Sequence, residues 1–215
     1  MITATLAAWI PTLTFEALPP RARSRAKLAI FDACGTALAG THHPAVQHLR
    51  QLIVEMGSTP QARLIGDQLC LSLLEAAWLT GTMVEAYLYS DTHFPSHGHF
   101  TSVLLPVLLA LGETRTVSGP EALTAYAAGF EVATRLAGAI PPSHDRHGWH
   151  TTAVAGVLGA CPRINVYGPL IPRQPYGEGG WMGTLVVSIS TVVRHNWFTD
   201  GMTPCQEVLA VPMAP

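Results

Sequence analysis

The feature that most constrains this chain is the return of apolar residues every three or four positions through most of its first 160 residues. That spacing puts them on one face of an α-helix, and such faces are stable only when buried against one another. Residues 21–38 show it with Leu28, Phe31, Cys34 and Leu38, and Ile30 and Ala37 widen the stripe. Gly35 within it costs about 1 kcal/mol against alanine, and Gly40 suits the end of the helix. Pro44–Met56 repeats the pattern with Val46, Leu49, Leu52 and Ile53. Pro44 fits a first helical turn and Gly57 a C-terminal cap. Residues 69–88 hold Leu71, Leu74, Ala77, Leu79 and Met83 and are apolar on most sides, which predicts a central, buried helix. A further buried helix is predicted over residues 101–111. Ser118-Gly-Pro-Glu121 is a capping-box pattern, in which the Ser118 hydroxyl accepts from the Glu121 amide and Glu121 reaches back. The helix it opens carries Leu123, Tyr126, Ala127, Phe130, Ala133 and Ala137 on one face, and Pro141-Pro142 closes it. Thr151–Ala160 begins as a helix of small residues, suited to close packing. Residues 1–10 are expected to form a short helix, and residues 62–65 a brief extended segment.

The expected fold class is therefore all-α over residues 1–160. At Cys161-Pro162 the character changes. Residues 161–215 carry seven prolines and no clear helical period, and only residues 184–193 resemble a strand. A divergent, Pro/Gly-rich, irregular C-terminal tail is the expectation there. No internal repeat is present.

Composition narrows the function classes. With 215 residues, 12% charged and 48% apolar, the chain is long enough for one domain with a sizeable core. A net charge of −2 gives no basic footprint for nucleic acid. The apolar run at residues 103–111 is too short to span a bilayer, and Pro106 interrupts it. The N-terminus lacks a basic region followed by an apolar core, so no secretory signal is expected. Arg21, Arg23, Arg25 and Lys27 read as a solvated helix face. Cys34, Cys70, Cys161 and Cys205 lie far apart with no Cys-x-x-Cys spacing, so a reduced, cytoplasmic chain is expected.

Six of the ten histidines fall in two short stretches. The first runs from Ser90 through Asp91, Thr92, His93, His97 and His99. The second holds His144, His147 and His150 and ends at Thr152. Both are loop-like and lead into apolar helices. Imidazoles at short intervals can ligate zinc or iron. Here the two spacings differ, neither fits His-Glu-x-x-His, and Phe100-Thr101 stands where a metallo-β-lactamase-type hydrolase has Asp-His. No metal and no cofactor are therefore expected. Capping or loop roles suit His42, His43, His48 and His195, and also His97 and His144 taken singly. The remaining reading is acid–base chemistry without a metal, since imidazole titrates near neutrality and a neighbouring carboxylate can orient it. Asp91, His99 and His150 at helix ends would supply one carboxylate and two imidazoles.

These segments resemble the N-terminal portion of the MmgE/PrpD family, which includes 2-methylcitrate dehydratase and cis-aconitate decarboxylase. The resemblance runs over about residues 1–160, through four segments in order. They are residues 26–40, then Ser90-Asp-Thr-His93 with His99 and residues 103–113, then residues 118–135 with their Gly-x-Glu-x3-Arg pattern, and last Gly148-Trp-His-Thr-Thr152. It implies a helical main domain, a homodimer, and lyase chemistry on a small-molecule carboxylate of the citrate type. It also implies catalytic positions at Asp91, His99 and His150, with Thr92 and His93 beside them to bind substrate. Arg135 and Arg146 could pair with substrate carboxylates, but a helix arginine is commonly a surface residue, and both are left out of the site.

The chain departs from the family pattern in three places. Glu85, Leu88 and Ser90 stand where the family has a histidine and further acidic residues. Lys27 is the only lysine, whereas the family's active-site lysine follows the Gly-x-His helix. Beyond Ala160 nothing resembles the family's second, α+β domain, as in a truncated reading. Two functions follow. One is a metal-independent dehydratase or decarboxylase of a citrate-like tricarboxylate such as 2-methylcitrate or an alkylcitrate. The other is a catalytically inactive remnant that serves as a binding or assembly module.

Overall fold

The computed structural model describes residues 8–140 and 149–160, and these are mostly helical. The helix expected over residues 1–10 falls largely outside them, as do the tail, its strand at residues 184–193, His144, Arg146 and His147. After a short 3-10 turn at Ile10–Thr12, α1 runs Pro20–Gly40 and α2 Pro44–Met56. A two-residue antiparallel pair follows, β1 (Ala62–Arg63) with β2 (Cys70–Leu71), in the register Ala62 with Leu71. Then come α3 (Leu73–Glu85), α4 (Thr101–Glu113), α5 (Gly119–Ala139) and α6 (Thr151–Ala160). α3 lies at the centre, against α1, α2 and α4, while α5 and α6 pack on each other and on α4.

The local signals explain most of these boundaries. Pro44 opens α2, and Gly57 ends it with φ 77°, the left-handed region where glycine carries no side-chain penalty. His43 caps α2, its Nδ1 accepting from the Ala45 amide at 3.2 Å. Burial holds the His43 imidazole below its ordinary pKa, in keeping with an accepting Nδ1. The capping box at α5 forms as spaced: Ser118 N–H donates to Glu121 Oε2 at 2.8 Å, and the Ser118 hydroxyl accepts from the Glu121 amide. Leu123, Tyr126, Ala127, Phe130, Ala133 and Ala137 all turn inward. Small residues let α6 approach closely: a Cβ on Gly159 would lie 2.6 Å from the Gly129 carbonyl oxygen.

Four expectations fail. The central helix is shorter than residues 69–88, because Cys70–Leu71 pairs as β2 and Ser72 caps α3 by accepting from the Glu75 amide. Leu71 belongs to β2, and Leu74 is 41% exposed rather than inside. Leu52 of α2 is likewise exposed, while Val46, Leu49 and Ile53 are buried. The larger correction concerns α1. Its stripe of Leu28, Phe31 and Leu38 faces outward, with Phe31 78% exposed, and the buried residues are Ala26, Ala33, Ala37 and Gly40. Close approach decides this. A Cβ on Gly40 would lie 2.1 Å from the Met83 carbonyl oxygen, so only the small face fits against α3.

Candidate active-site cleft

The loop between α3 and α4 carries the first histidine cluster. It leaves α3 through Tyr87, Leu88 and Tyr89, and Leu88 holds φ 58°, a left-handed conformation unusual for a leucine. The loop then closes on itself: His93 N–H donates to the Gly98 carbonyl at 2.8 Å, with a 3-10 turn at Phe94–Ser96 between them. Gly98 must lack a side chain, because a Cβ there would meet the Phe100 ring at 2.2 Å. His97 sits at the tip, exposed, with φ 51°.

His93 turns away from solvent. Its Nδ1 bonds the Ser96 hydroxyl at 2.7 Å, and its ring lies edge-on to Phe130 with centroids 5.9 Å apart. Desolvation lowers its pKa, although the Glu131 charge works the other way. These contacts brace the loop against α5.

His99 has a different setting. Its Nδ1 lies 3.0 Å from the Asp91 main-chain carbonyl oxygen, 3.3 Å from the Ser90 hydroxyl and 3.4 Å from the Thr92 hydroxyl. A carbonyl oxygen only accepts, so Nδ1 carries the proton and Nε2 is the basic nitrogen of the neutral ring. Asp91 thus orients His99 through its main chain, where the sequence suggested its carboxylate. The second cluster joins the first through the backbone: His99 N–H donates to the Thr152 hydroxyl at 2.8 Å. His150, half-buried, caps α6, its carbonyl accepting from the Val154 amide at 3.1 Å.

The Asp91 carboxyl group is turned inward even though other atoms of the residue reach the surface. Its Oδ2 accepts from the Thr101 hydroxyl at 2.7 Å, and Thr101 in turn lies 2.6 Å from the Tyr126 hydroxyl. Its Oδ1 is buried with no hydrogen-bond partner among the described residues. Desolvation pushes the Asp91 pKa up to about 7. The Thr101 hydrogen bond opposes the rise, and the negative charges of Glu85 and Asp32 add to it.

A cleft of about 560 Å³ opens beside this loop. Ser90, Thr92 and His99 line its polar side, together with Asp32 and Thr36 of α1. Leu28 and Phe31, from the outward stripe of α1, supply its apolar lining together with Leu88 and Tyr89. Of the five residues singled out from the sequence, His99 and Thr92 line the cleft. Asp91 lies behind them, His93 braces the loop, and His150 stands at the start of the helix that holds the His99 backbone. Sequence reasoning missed Asp32, Thr36, Thr101 and Tyr126. Helical spacing could have placed Asp32 and Thr36 beside Phe31 and Gly35, but nothing local pairs Thr101 with a tyrosine 25 positions on. Among the described residues the lining contains no lysine or arginine. Arg135 is ion-paired with Glu131 on the same helix. Among the described residues no group of three or more His, Cys, Asp or Glu side chains is placed to hold a metal ion, and no helix is long and apolar enough to cross a membrane.

A family model, the MmgE/PrpD N-terminal domain, matches residues 4–162. No curated protein matches the chain.

Proposed function

Since the chain belongs to the MmgE/PrpD family, we propose that its cleft serves a lyase reaction, dehydration or decarboxylation, on a citrate-like carboxylic acid. The observation that carries this reading is His99, which lines the cleft with its Nδ1 proton held on the Asp91 carbonyl. Elimination of water from a hydroxy acid requires a base for the proton next to a carboxylate and an acid for the departing hydroxyl. Nε2 of His99 acts as the base. Ser90 and Thr92 flank the ring and orient the substrate hydroxyl by hydrogen bonds. By the family resemblance His150 is the candidate for the acid, although it stands at the start of α6 and not in the cleft lining, and Asp91 holds the loop and its histidine in place. Among the described residues the lining carries one charged side chain, Asp32, and a citrate-like substrate needs cations to pair with its carboxylates.

The outward apolar wall of the cleft favours a second reading. Phe31 and Tyr89 are largely exposed and Leu28 nearly half so, as on a binding or assembly module. Turnover separates the two. Purified protein would be assayed with 2-methylcitrate, citrate and cis-aconitate, alongside His99→Gln. Turnover that falls by about 10²–10⁴-fold in the variant supports the lyase. No turnover of any of the three by the folded protein leaves the binding module.

A further inference from the structure

We propose that Tyr126 is a positioning residue of this cleft: through Thr101 it fixes which oxygen of the Asp91 carboxyl group accepts and which carries the proton. The relevance to turnover rests on the lyase reading, but the hydrogen-bond geometry does not.

Thr101 is fully buried at the first position of α4, and Tyr126 is 3% exposed in α5. The threonine oxygen lies 2.6 Å from the tyrosine oxygen and 2.7 Å from Asp91 Oδ2. A hydroxyl has one proton to give, and an ionised carboxylate can only accept. The Thr101 proton is therefore directed to Oδ2, and the Thr101 oxygen accepts from Tyr126. The three groups form a one-way chain from phenol to threonine to carboxylate, each bond polarising the next. Without the phenol the Thr101 oxygen loses its donor, and its own bond to Oδ2 is no longer polarised. With it, Oδ2 is occupied as an acceptor, and the proton that Asp91 takes up goes to Oδ1, the oxygen shut off from solvent.

The charged and titratable groups around Asp91 come from every neighbouring element. Glu85 at the end of α3 and Asp32 in α1 act against its negative charge. The loop contributes His99, on the Asp91 carbonyl, and His93, on which Glu131 of α5 acts. α4 and α5 add the Thr101 and Tyr126 hydroxyls, and α6 begins at His150. The donor chain from Tyr126 opposes the two carboxylates, so its loss lets the Asp91 proton bind more tightly.

The test is a carbon-13 NMR titration of the Asp91 carboxyl group in the full 215-residue chain, without substrate. Thr101→Val removes the direct donor and should raise the midpoint by about 1–2 pH units, the size of a hydrogen bond to a charged group. Tyr126→Phe should raise it by about half a unit or more, through the weakened Thr101 bond. Thr101→Ser keeps the hydroxyl and should restore the wild-type midpoint. A Tyr126→Phe midpoint equal to wild type, with Thr101→Val shifted, overturns the proposal. If Tyr126→Phe does not fold, fluorotyrosine at position 126 keeps the shape and strengthens the donor. It should lower the midpoint, and an unchanged midpoint also overturns the proposal. Because no substrate is present, this result and the turnover result fail independently.

Discussion

Replacing Asp91 by asparagine should remove a fall in stability between acid and alkaline pH, so that the variant gains on the wild type as the pH rises. The buried carboxyl group has its pKa raised to about 7, from 3.8 for an exposed aspartate. Between those values the native state keeps a proton that the unfolded state has lost. Stability therefore falls as pH rises through this window, and the favourable contribution is fully present only below the unfolded value. A rise of about three units corresponds to about 4 kcal/mol, reached by about pH 8, against less than about 1 kcal/mol at pH 4. Asparagine keeps the shape, its side-chain oxygen can accept from Thr101, and it never ionises. The Asp91→Asn variant should therefore lose this slope. The assay is urea unfolding of both proteins at unit steps from pH 4 to 8, with the difference in free energy plotted against pH. Other titrations cancel in that difference. Asp67 and Glu113, held below the usual carboxylate range chiefly by hydrogen bonds from Arg50 and Arg63, lose stability only as pH falls through their lowered values, and they do so in both proteins. Parallel curves across pH 4–8 would refute the argument, because they would mean that the Asp91 carboxylate is not burdened by burial.

Four further outcomes are expected. Gly159→Ala should destabilise by about 1–3 kcal/mol in denaturant unfolding, the usual cost of overpacking, because its Cβ would meet the Gly129 carbonyl and the Ala133 side chain. Ser118→Ala should cost about 0.5–2 kcal/mol in the same assay, through loss of the capping box. If the cleft is catalytic, His150→Ala should reduce turnover by about 10²–10⁴-fold, and thorough chelation should leave turnover unchanged. Loss of activity on chelation, restored by zinc or iron, would replace the acid–base role with a metal site.

Much of this protein is determined by the sequence alone. Helix α2 ends where Pro44 and Gly57 place it, and α5 begins at its capping box with its inward face already specified by Leu123, Tyr126 and Phe130. These are local effects: periodicity, a cap or a glycine needs only a few neighbouring residues. The family was legible for a similar reason, since its segments recur in order along the chain. The inward face of α1 was not legible. Its large apolar stripe and its small stripe both have helical spacing, and the choice between them was made by the backbone of Met83, which leaves room only for Gly40 and its alanines. The cleft follows from that choice, because the rejected stripe becomes its wall. The Asp91 carboxyl group likewise takes its setting from the Glu85 charge, from the Thr101 hydroxyl and, through Thr101, from Tyr126, on three different helices. Only packing brings such groups together, and burial then makes their mutual charges and single protons count in a way that spacing along the chain does not encode.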